Sequence, residues 1–286
     1  NVSMLTDTEA VALSPSRRGG WSVQLADGSG LFAPHVVAAM GGSAAPSMGT
    51  DGTGARLMQA LGHEITPLYP ALVQLRCSHP ALKGLKGIRT QAKLTLLIDG
   101  EPAARETGEL LLTDYGVSGV CVFQLSREAA PALAQKRGVR LTVNFLPEVE
   151  AILPWLDARI RQLAPTSLLA LTTGVLPRLL AQTILKEARL SPDQPAESLS
   201  EAEKDALCGV LSAFPLTVTG TQGFANAQVT RGGVSLAEVD PRTMASCLFD
   251  GLHIIGELLD ADGPCGGYNL HFAFAGALTA AKAIGG

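Results

Sequence analysis

GLHIIGELLDADGPCGGYNL, residues 251–270, is the stretch that decides the fold. A short apolar run at 252–255 ends in Gly256 and Glu257, as a buried strand does where it leaves a sheet. A glycine-rich loop follows, and from about residue 269 to 284 small and apolar residues recur at helical spacing. The pattern predicts a strand, a loop and a closely packed helix, the repeating unit of an α/β fold.

Glu257 and the pair Gly266 and Gly267 give this stretch a chemical interpretation. Open α/β sheets bind ligands at the carboxyl edge, where Glu257 follows its strand. Its carboxylate can accept hydrogen bonds from the hydroxyls of a ribityl chain, and the glycine pair lets the backbone approach a flat ring. The first N–H groups of the last helix favour the electron-rich edge of a reduced flavin. An ordinary strand, loop and helix with a solvated Glu257 is the alternative.

The amino-terminal part predicts a second piece of the same domain. Residues 8–40 read as a β-meander, and the apolar run 36–40 ends in Gly41 and Gly42. Such a turn is compatible with backbone packing on a dinucleotide, although many α/β proteins contain one. An amphipathic helix follows, and Gly62 stands where its C-terminal cap belongs.

From about residue 70 to 212 the pattern changes. A hairpin turn is indicated by Asp99-Gly100, and an apolar helical stripe at 149–163 contains Pro154, which must kink or start that helix. Ser200 and Glu203 form a capping box ahead of another helix. The strands predicted for this part are at 72–77, 92–98, 109–112 and 139–145, and strands return at 215–219, 227–230 and 252–255.

Length, composition and charge exclude several classes of protein. The 286 residues, 47% hydrophobic and 17% charged, suffice for two domains. A net charge of −4 argues against a nucleic-acid partner, and no apolar run approaches the roughly 18 residues that a membrane span needs. Five scattered cysteines, never in C-x-x-C spacing, predict neither disulfides nor a metal site and suit the cytoplasm. Because the first residues read like the middle of a domain, we expect a fragment or a processed form.

Several motifs together resemble one family of flavoproteins. Residues 251–270 are similar to the closing motif of the aminoacetone-oxidase-like (YhiN-type) FAD-dependent flavoproteins, and residues 214–234, 41–63 and 108–119 are similar to further signatures. The similarity follows the same order along nearly the whole chain, which makes it more specific than any single motif.

The resemblance implies a partial two-dinucleotide-binding fold of the FAD/NAD(P) type, of class α/β, interrupted by an inserted β-barrel plus helical domain. Residues 1–70 and 213–286 are then parts of the FAD domain, and residues 71–212 form the inserted substrate or lid domain. It also implies contacts with the ribityl and isoalloxazine groups near the end of the chain and with the ADP half near its start. The cofactor-binding residues expected on this basis are Ala10, Gly41, Gly42, Gly256, Glu257, Gly266, Gly267, Tyr268, Asn269 and Leu270.

The sequence also departs from the family pattern. No G-x-G-x-x-G turn occurs, and residues 49–54 carry their glycines in the wrong order, so the usual anchor of the pyrophosphate is missing and FAD binding by this chain alone is in doubt. His271, Cys265, Asp114 and Met40 stand where the family usually has Gln, Thr, His and Thr. The first three invite catalytic interpretations, but structural roles are the simpler ones, and no catalytic residue is assigned.

Three hypotheses of function follow. The first is an FAD-dependent oxidoreductase acting on a small molecule, either oxidising an amine or amino ketone or reducing an unsaturated substrate with NAD(P)H as a transient reductant. The absence of a separate nicotinamide fingerprint mildly favours oxidation. The second is a non-enzymatic binding or assembly module on a flavoprotein scaffold, and the third is another α/β enzyme that uses a different nucleotide. The substrate and the oligomeric state stay open.

Overall fold

A computed structural model describes residues 2–285, which form two compact units. The split unit contains the residues up to Ala71 and those from Gly223 onwards, and the inserted unit is Leu72–Gln222. In chain order the strands are β1 (Ala10–Pro15), β2 (Trp21–Leu25), β3 (Gly30–Ala33), β4 (Val36–Ala38), β5 (Tyr69–Ala71), β6 (Leu75–Ser78), β7 (Arg89–Ile98), β8 (Glu101–Leu112), β9 (Gly116–Ser118), β10 (Val139–Asn144), β11 (Phe214–Thr221), β12 (Val229–Arg231), β13 (Val239–Asp240), β14 (Ala245–Ser246) and β15 (Leu252–Ile254). The helices are α1 (Thr53–Leu61), α2 (Val120–Ala134), α3 (Ile152–Leu163), α4 (Leu168–Leu171), α5 (Arg178–Glu187), α6 (Glu201–Ser212) and α7 (Tyr268–Gly285).

The split unit contains the predicted meander and a small mixed sheet. Strands β1, β2 and β3 pair in an antiparallel sheet, and Trp21 is buried and donates its indole N–H to the Asp250 carbonyl at 3.0 Å. The mixed sheet has the order β13-β14-β15-β4, in which β15 and β4 are parallel and Ile254 lies opposite Ala38. Because parallel strands end at the same edge, the residues after β4 and after β15 are brought together.

Helices α1 and α7 complete the core of the split unit. Gly62 caps α1 with a φ of 108°, as predicted. Its neighbour His63 is buried, with Nδ1 2.7 Å from Glu238 Oε2 and Nε2 3.2 Å from Ser246 Oγ, so this polar side chain is fully paired. Helix α7 buries Gly276 and Ala280, the small residues that its sequence predicted for close packing.

The inserted unit is built around a closed barrel. The order of its strands is β10-β11-β6-β9-β8-β7, and β7 pairs with β10 to close the barrel. All neighbouring strands are antiparallel. The hairpin at Asp99-Gly100 is confirmed, because both residues have positive φ and Ile98 pairs with Glu101. Leucines on alternate positions of β7 fill the interior, since successive side chains of a strand point to opposite faces. The expected β-barrel is therefore confirmed.

The helices of the inserted unit cover this barrel. The capping box that begins α6 is confirmed, with Ser200 accepting from the Glu203 N–H and Glu203 accepting from the Ser200 N–H. Pro154 lies in the first turn of α3 and so starts that helix. Helix α2 was not expected from the sequence, because Gly119 offers no capping side chain and Pro131 interrupts its last turn.

One boundary differs from the expectation. Residues 213–286 were assigned to the last part of the FAD domain, but β11 pairs with β10 and β6 and closes the barrel, so the inserted unit extends to Gln222. A strand of alternating buried and exposed residues fits either domain, and only its pairing partners decide which one it joins. Within residues 2–285, no helix combines the length and hydrophobicity that crossing a bilayer requires.

Candidate functional site

Glu257 lies at the carboxyl end of the parallel pair β4 and β15. It belongs to the short 3-10 turn Gly256–Leu258 that follows β15 directly, and it is partly buried. Its Oε1 accepts the backbone N–H of Thr230 at 2.9 Å. Burial raises the pKa of the Glu257 carboxyl, and hydrogen bonds from the Thr230 hydroxyl and N–H partly offset that effect.

Thr230 joins three segments of the split unit. This residue of β12 is 1% exposed, and its Oγ1 accepts the N–H groups of Ser43 at 2.7 Å and Ala44 at 2.9 Å. Sequence reasoning did not include Thr230 among the site residues, although it lies in a motif that carried the family resemblance. Its importance depends on contacts nearly two hundred residues apart, which no local pattern shows.

Gly42 completes this cluster because it leaves space for both neighbours. A Cβ on Gly42 would lie 2.5 Å from Glu257 Oε1 and would also overlap the Thr230 side chain. The structure therefore brings the predicted residues Gly42 and Glu257 into direct proximity. The adjoining Gly41 has a φ of 74°, and the Thr50 hydroxyl contacts the carbonyls of Met40 and Gly42.

A hollow of about 470 Å³ is lined in part by Ala10, Met40 and Thr50, and its lining also includes the acidic residues Glu9 and Asp51. The loop at 49–54 does not resemble a phosphate-binding turn, because Asp51 Oδ1 accepts the Thr53 N–H at 2.9 Å and so occupies the start of α1. A carboxylate in that position repels a phosphate, in line with the unusual glycine order of the loop.

The turn that begins α7 has its own internal structure. Asn269 holds it closed, since its Oδ1 accepts the Gly263 N–H at 2.7 Å and its Nδ2 donates to the Gly263 carbonyl at 3.1 Å. Tyr268 and Leu270 are 62% and 68% exposed. A mostly apolar hollow of about 410 Å³ separates the loop at 261–264 from α7, and His271 is among the residues that line it.

Gln228, which directly precedes β12, connects this turn with the strand that holds Thr230. The Cys265 thiol donates to Gln228 Oε1 at 3.7 Å, and Gln228 lies two residues before Thr230. Gly256 also packs against α7, where a Cβ would lie 3.6 Å from that of Ala273. In the part of the chain that the structure describes, no hydrogen bond connects the Glu257 carboxylate directly to the turn at 266–269.

Other candidate residues have ordinary explanations. Asp114 lies in the inserted unit and pairs with Lys86 at 2.7 Å, and this hydrogen bond lowers the pKa of the Asp114 carboxyl. Burial raises the pKa of the Cys265 thiol, which disfavours a reactive thiolate. Within residues 2–285, no group of three or more His, Cys, Asp or Glu side chains is arranged to hold a metal ion.

The free oxygen of Glu257 is the feature best suited to bind a ligand. Oε1 is used by Thr230, whereas Oε2 has no hydrogen bond within residues 2–285. A carboxylate oxygen without a donor from the protein can accept a hydrogen bond from a ligand or from water. The cluster can therefore take a hydroxyl donor, and among residues 2–285 no His, Cys or Lys side chain hydrogen-bonds to it.

Comparison with known proteins identifies relatives along the whole chain. The "3-dehydro-bile acid delta(4,6)-reductase" of Clostridium scindens is 38% identical over 285 residues, which are 99% of this chain and 69% of the relative. The "Ribosomal RNA dihydrouridine synthase" of Escherichia coli is 28% identical over 283 residues, 99% of this chain and 68% of the relative. The protein of the same name from Haemophilus influenzae is 27% identical and covers 87% of this chain and 60% of the relative. The family described as "HI0933-like protein Rossmann domain" matches residues 1–283, and the chain therefore belongs to this Rossmann-domain family.

Proposed function

We propose that the chain is part of an FAD-dependent oxidoreductase that reduces a carbon–carbon double bond conjugated with a carbonyl group. The observation that carries the proposal is the cluster of Gly42, Thr230 and Glu257 at the carboxyl ends of β4 and β15, which leaves Glu257 Oε2 open to a hydroxyl donor. Carboxyl ends of parallel strands are the usual position for nucleotide cofactors in this class of fold.

The dimensions and chemistry of the split unit fit an extended cofactor. The apolar hollow near Tyr268 and Asn269 suits a planar ring. The hollow lined by Ala10, Met40 and Thr50 suits an uncharged part of FAD, because Glu9 and Asp51 in its lining disfavour the pyrophosphate. Glu257 suits the hydroxyls of the ribityl chain, because its carboxylate accepts hydrogen bonds. The residues proposed to hold the cofactor are Ala10, Gly41, Gly42, Gly256, Glu257, Gly266, Gly267, Tyr268, Asn269 and Leu270. A bound flavin supplies hydride transfer, with NAD(P)H as its transient reductant.

The relatives favour reduction over the oxidation of an amine. Two of their names, a delta(4,6)-reductase and a dihydrouridine synthase, describe the addition of hydrogen to a double bond next to a carbonyl. In such a reaction the substrate takes a hydride at the β-carbon and a proton at the α-carbon. A non-enzymatic module receives no comparable support.

Charge favours a small apolar substrate over RNA. The net charge is −4, and RNA binding needs a basic face. Several basic side chains of the inserted unit are neutralised by carboxylates, in the pairs Lys86–Asp114, Arg89–Glu109, Arg137–Asp99 and Lys204–Asp157. We therefore propose an unsaturated ketone of steroid size as the substrate class.

Cofactor binding is tested first. Purified chain titrated with FAD is expected to gain the flavin absorption bands and to quench flavin fluorescence with a saturable dissociation constant. Glu257→Ala should weaken binding about tenfold, because a hydrogen bond to a charged group is lost. Glu197→Ala, a change at an exposed carboxylate of the inserted unit, is the control. Protein that binds no FAD even in excess contradicts the proposal for this chain.

The reaction class is tested with the loaded protein. Under anaerobic conditions, NADPH or NADH consumption is measured with a 3-oxo-4-ene steroid acid, with uridine-containing RNA and with an amino ketone. Stoichiometric loss of the steroid double bond supports the proposal. Reduction of RNA alone refutes the substrate class, and oxygen-dependent consumption of the amino ketone alone refutes the reductase assignment.

A further inference from the structure

We infer that Thr230 is the positioning residue of the cofactor site, holding one oxygen of Glu257 so that the other is presented to a ligand hydroxyl. The inference rests on the proposed function for the ligand, but the positioning itself is a property of this chain. Thr230 contacts Glu257 and two loop amides and has no assigned contact with the cofactor, so it acts through Glu257.

Hydrogen-bond direction makes Thr230 an obligatory donor. A hydroxyl has one hydrogen and two lone pairs, and the N–H groups of Ser43 and Ala44 approach Oγ1 at 2.7 and 2.9 Å. The remaining hydrogen is available to the Glu257 carboxylate, and a hydrogen bond from the Thr230 side chain lowers the pKa of that carboxyl. The Thr230 N–H, 2.9 Å from Oε1, is a donor as well, so this oxygen of Glu257 has to be an acceptor.

Thr230 is itself fixed in place. Strand β12 pairs with β5, where Thr230 lies opposite Pro70, and the side chain is almost completely buried. Gly42 packs against both Thr230 and Glu257 with no space for a side chain between them. A carboxylate held on one side by a rigid neighbour loses rotamer freedom before the ligand arrives, which lowers the entropic cost of binding.

The first test needs no cofactor. The pKa of Glu257 is measured by ¹³C NMR of the glutamate side-chain carboxyls, assigned with Glu257→Gln. Thr230→Val should raise this pKa, because it removes a donor that stabilises the charged form, whereas Thr230→Ser should leave it near the wild-type value. Thr66→Val, which removes a hydroxyl bonded to Gly233 instead of Glu257, is the matched control. If folded Thr230→Val leaves the pKa of Glu257 unchanged, the inference is wrong.

The second test measures FAD affinity in a double-mutant cycle. Thr230→Val should weaken FAD binding about tenfold in the wild-type background and have little effect in the Glu257→Ala background, because the two residues act as one unit. Equal losses in both backgrounds, with a matching fall in melting temperature, would instead show a merely structural role. Thr230→Cys, which retains a weak S–H donor, replaces the valine variant in both tests if that variant does not fold.

The experiments distinguish a failure of the proposed function from a failure of the inference about Thr230. If the wild-type chain binds no FAD, the proposed function fails, while the NMR titration still decides whether Thr230 controls Glu257. If the wild-type chain binds FAD but the cycle shows no coupling, the positioning inference fails and the proposed function stands.

Discussion

Glu257 illustrates how a single residue acquires its chemistry from its surroundings. On the surface it would be an ordinary carboxylate, but the fold buries it partly and the Thr230 N–H donates to its Oε1. No cation lies in hydrogen-bond contact with it within residues 2–285. The result is a carboxylate that has lost solvation without full compensation, a state typical of binding sites.

This state predicts a pH dependence of stability. Because burial raises the folded-state pKa of Glu257 above its unfolded value of about 4.5, the folded protein binds more protons than the unfolded chain between the two values. The free energy of unfolding of the wild type should therefore fall, relative to Glu257→Gln, as pH rises from about 4.5 through the folded pKa. Urea unfolding at a series of pH values measures it, and a difference that does not change with pH contradicts the expectation.

Gly42 predicts a steric effect at the same site. Gly42→Ala places a methyl group against Glu257 Oε1 and Thr230, so we expect a loss of about 1–3 kcal/mol in stability and a loss of FAD affinity. Gly209→Ala is the control, since a Cβ there meets no atom within 4 Å and the residue lies inside α6. The control should be neutral or slightly stabilising. Unchanged stability and affinity of Gly42→Ala would show that the loop moves aside freely.

Some helices and turns of the inserted unit are determined by residues close together in the sequence, and α6 is the clearest case. Its capping box has both reciprocal hydrogen bonds, and the Ser200 hydroxyl and N–H lower the pKa of the Glu203 carboxyl. The start of this helix is therefore fixed by contacts between residues that lie within four positions of each other in the sequence. By contrast, the sequence predicts a strand at 227–230, close to the observed β12, but no local pattern shows that Thr230 in this strand contacts Glu257.

The cap predicts the effect of one substitution on the helix. Ser200→Ala should lower the free energy of unfolding by about 1 kcal/mol, because it leaves an N–H of the first turn without its acceptor. Ser212→Ala removes a hydroxyl at the other end of α6, bonded to the Gly209 carbonyl, and should cost less than half as much. Denaturant titration of both variants measures the contrast, and equal losses would contradict a specific capping effect.

At the scale of the whole molecule, the inserted unit has its own core and a closed barrel. Its first and last strands, β6 and β11, pair side by side, with Leu75 opposite Thr221. The two ends of the unit are thus adjacent, which is how a complete domain can be inserted into a loop of another.

This arrangement predicts that residues 72–222 fold by themselves. The isolated segment should show far-UV circular dichroism typical of mixed helix and strand and a cooperative thermal transition. A shorter segment that begins at residue 79 lacks β6 and opens the barrel, so it should melt without cooperativity or aggregate. A broad, non-cooperative transition of residues 72–222 would show that the unit depends on the rest of the chain.

Much of the fold was predictable because its signals are local. The Asp99-Gly100 hairpin, the cap at Gly62, the capping box of α6 and the strand that ends before Gly256 depend on neighbours within a few residues. Membership of a Rossmann-domain family and the presence of a barrel with helices could be expected from motifs spread in order along the chain. Helix α2 could not be predicted from the sequence, because no side chain caps its start.

By itself, the sequence determined the strand–loop–helix unit at 251–285 and the direction in which Glu257 leaves its strand. Only the tertiary structure decided that β11 closes the barrel and that Thr230 and Gly42 enclose one oxygen of Glu257. The physical reason is that capping and turn formation act between neighbours, whereas strand pairing and side-chain packing join residues far apart in the chain, whose sequence patterns are compatible with several partners.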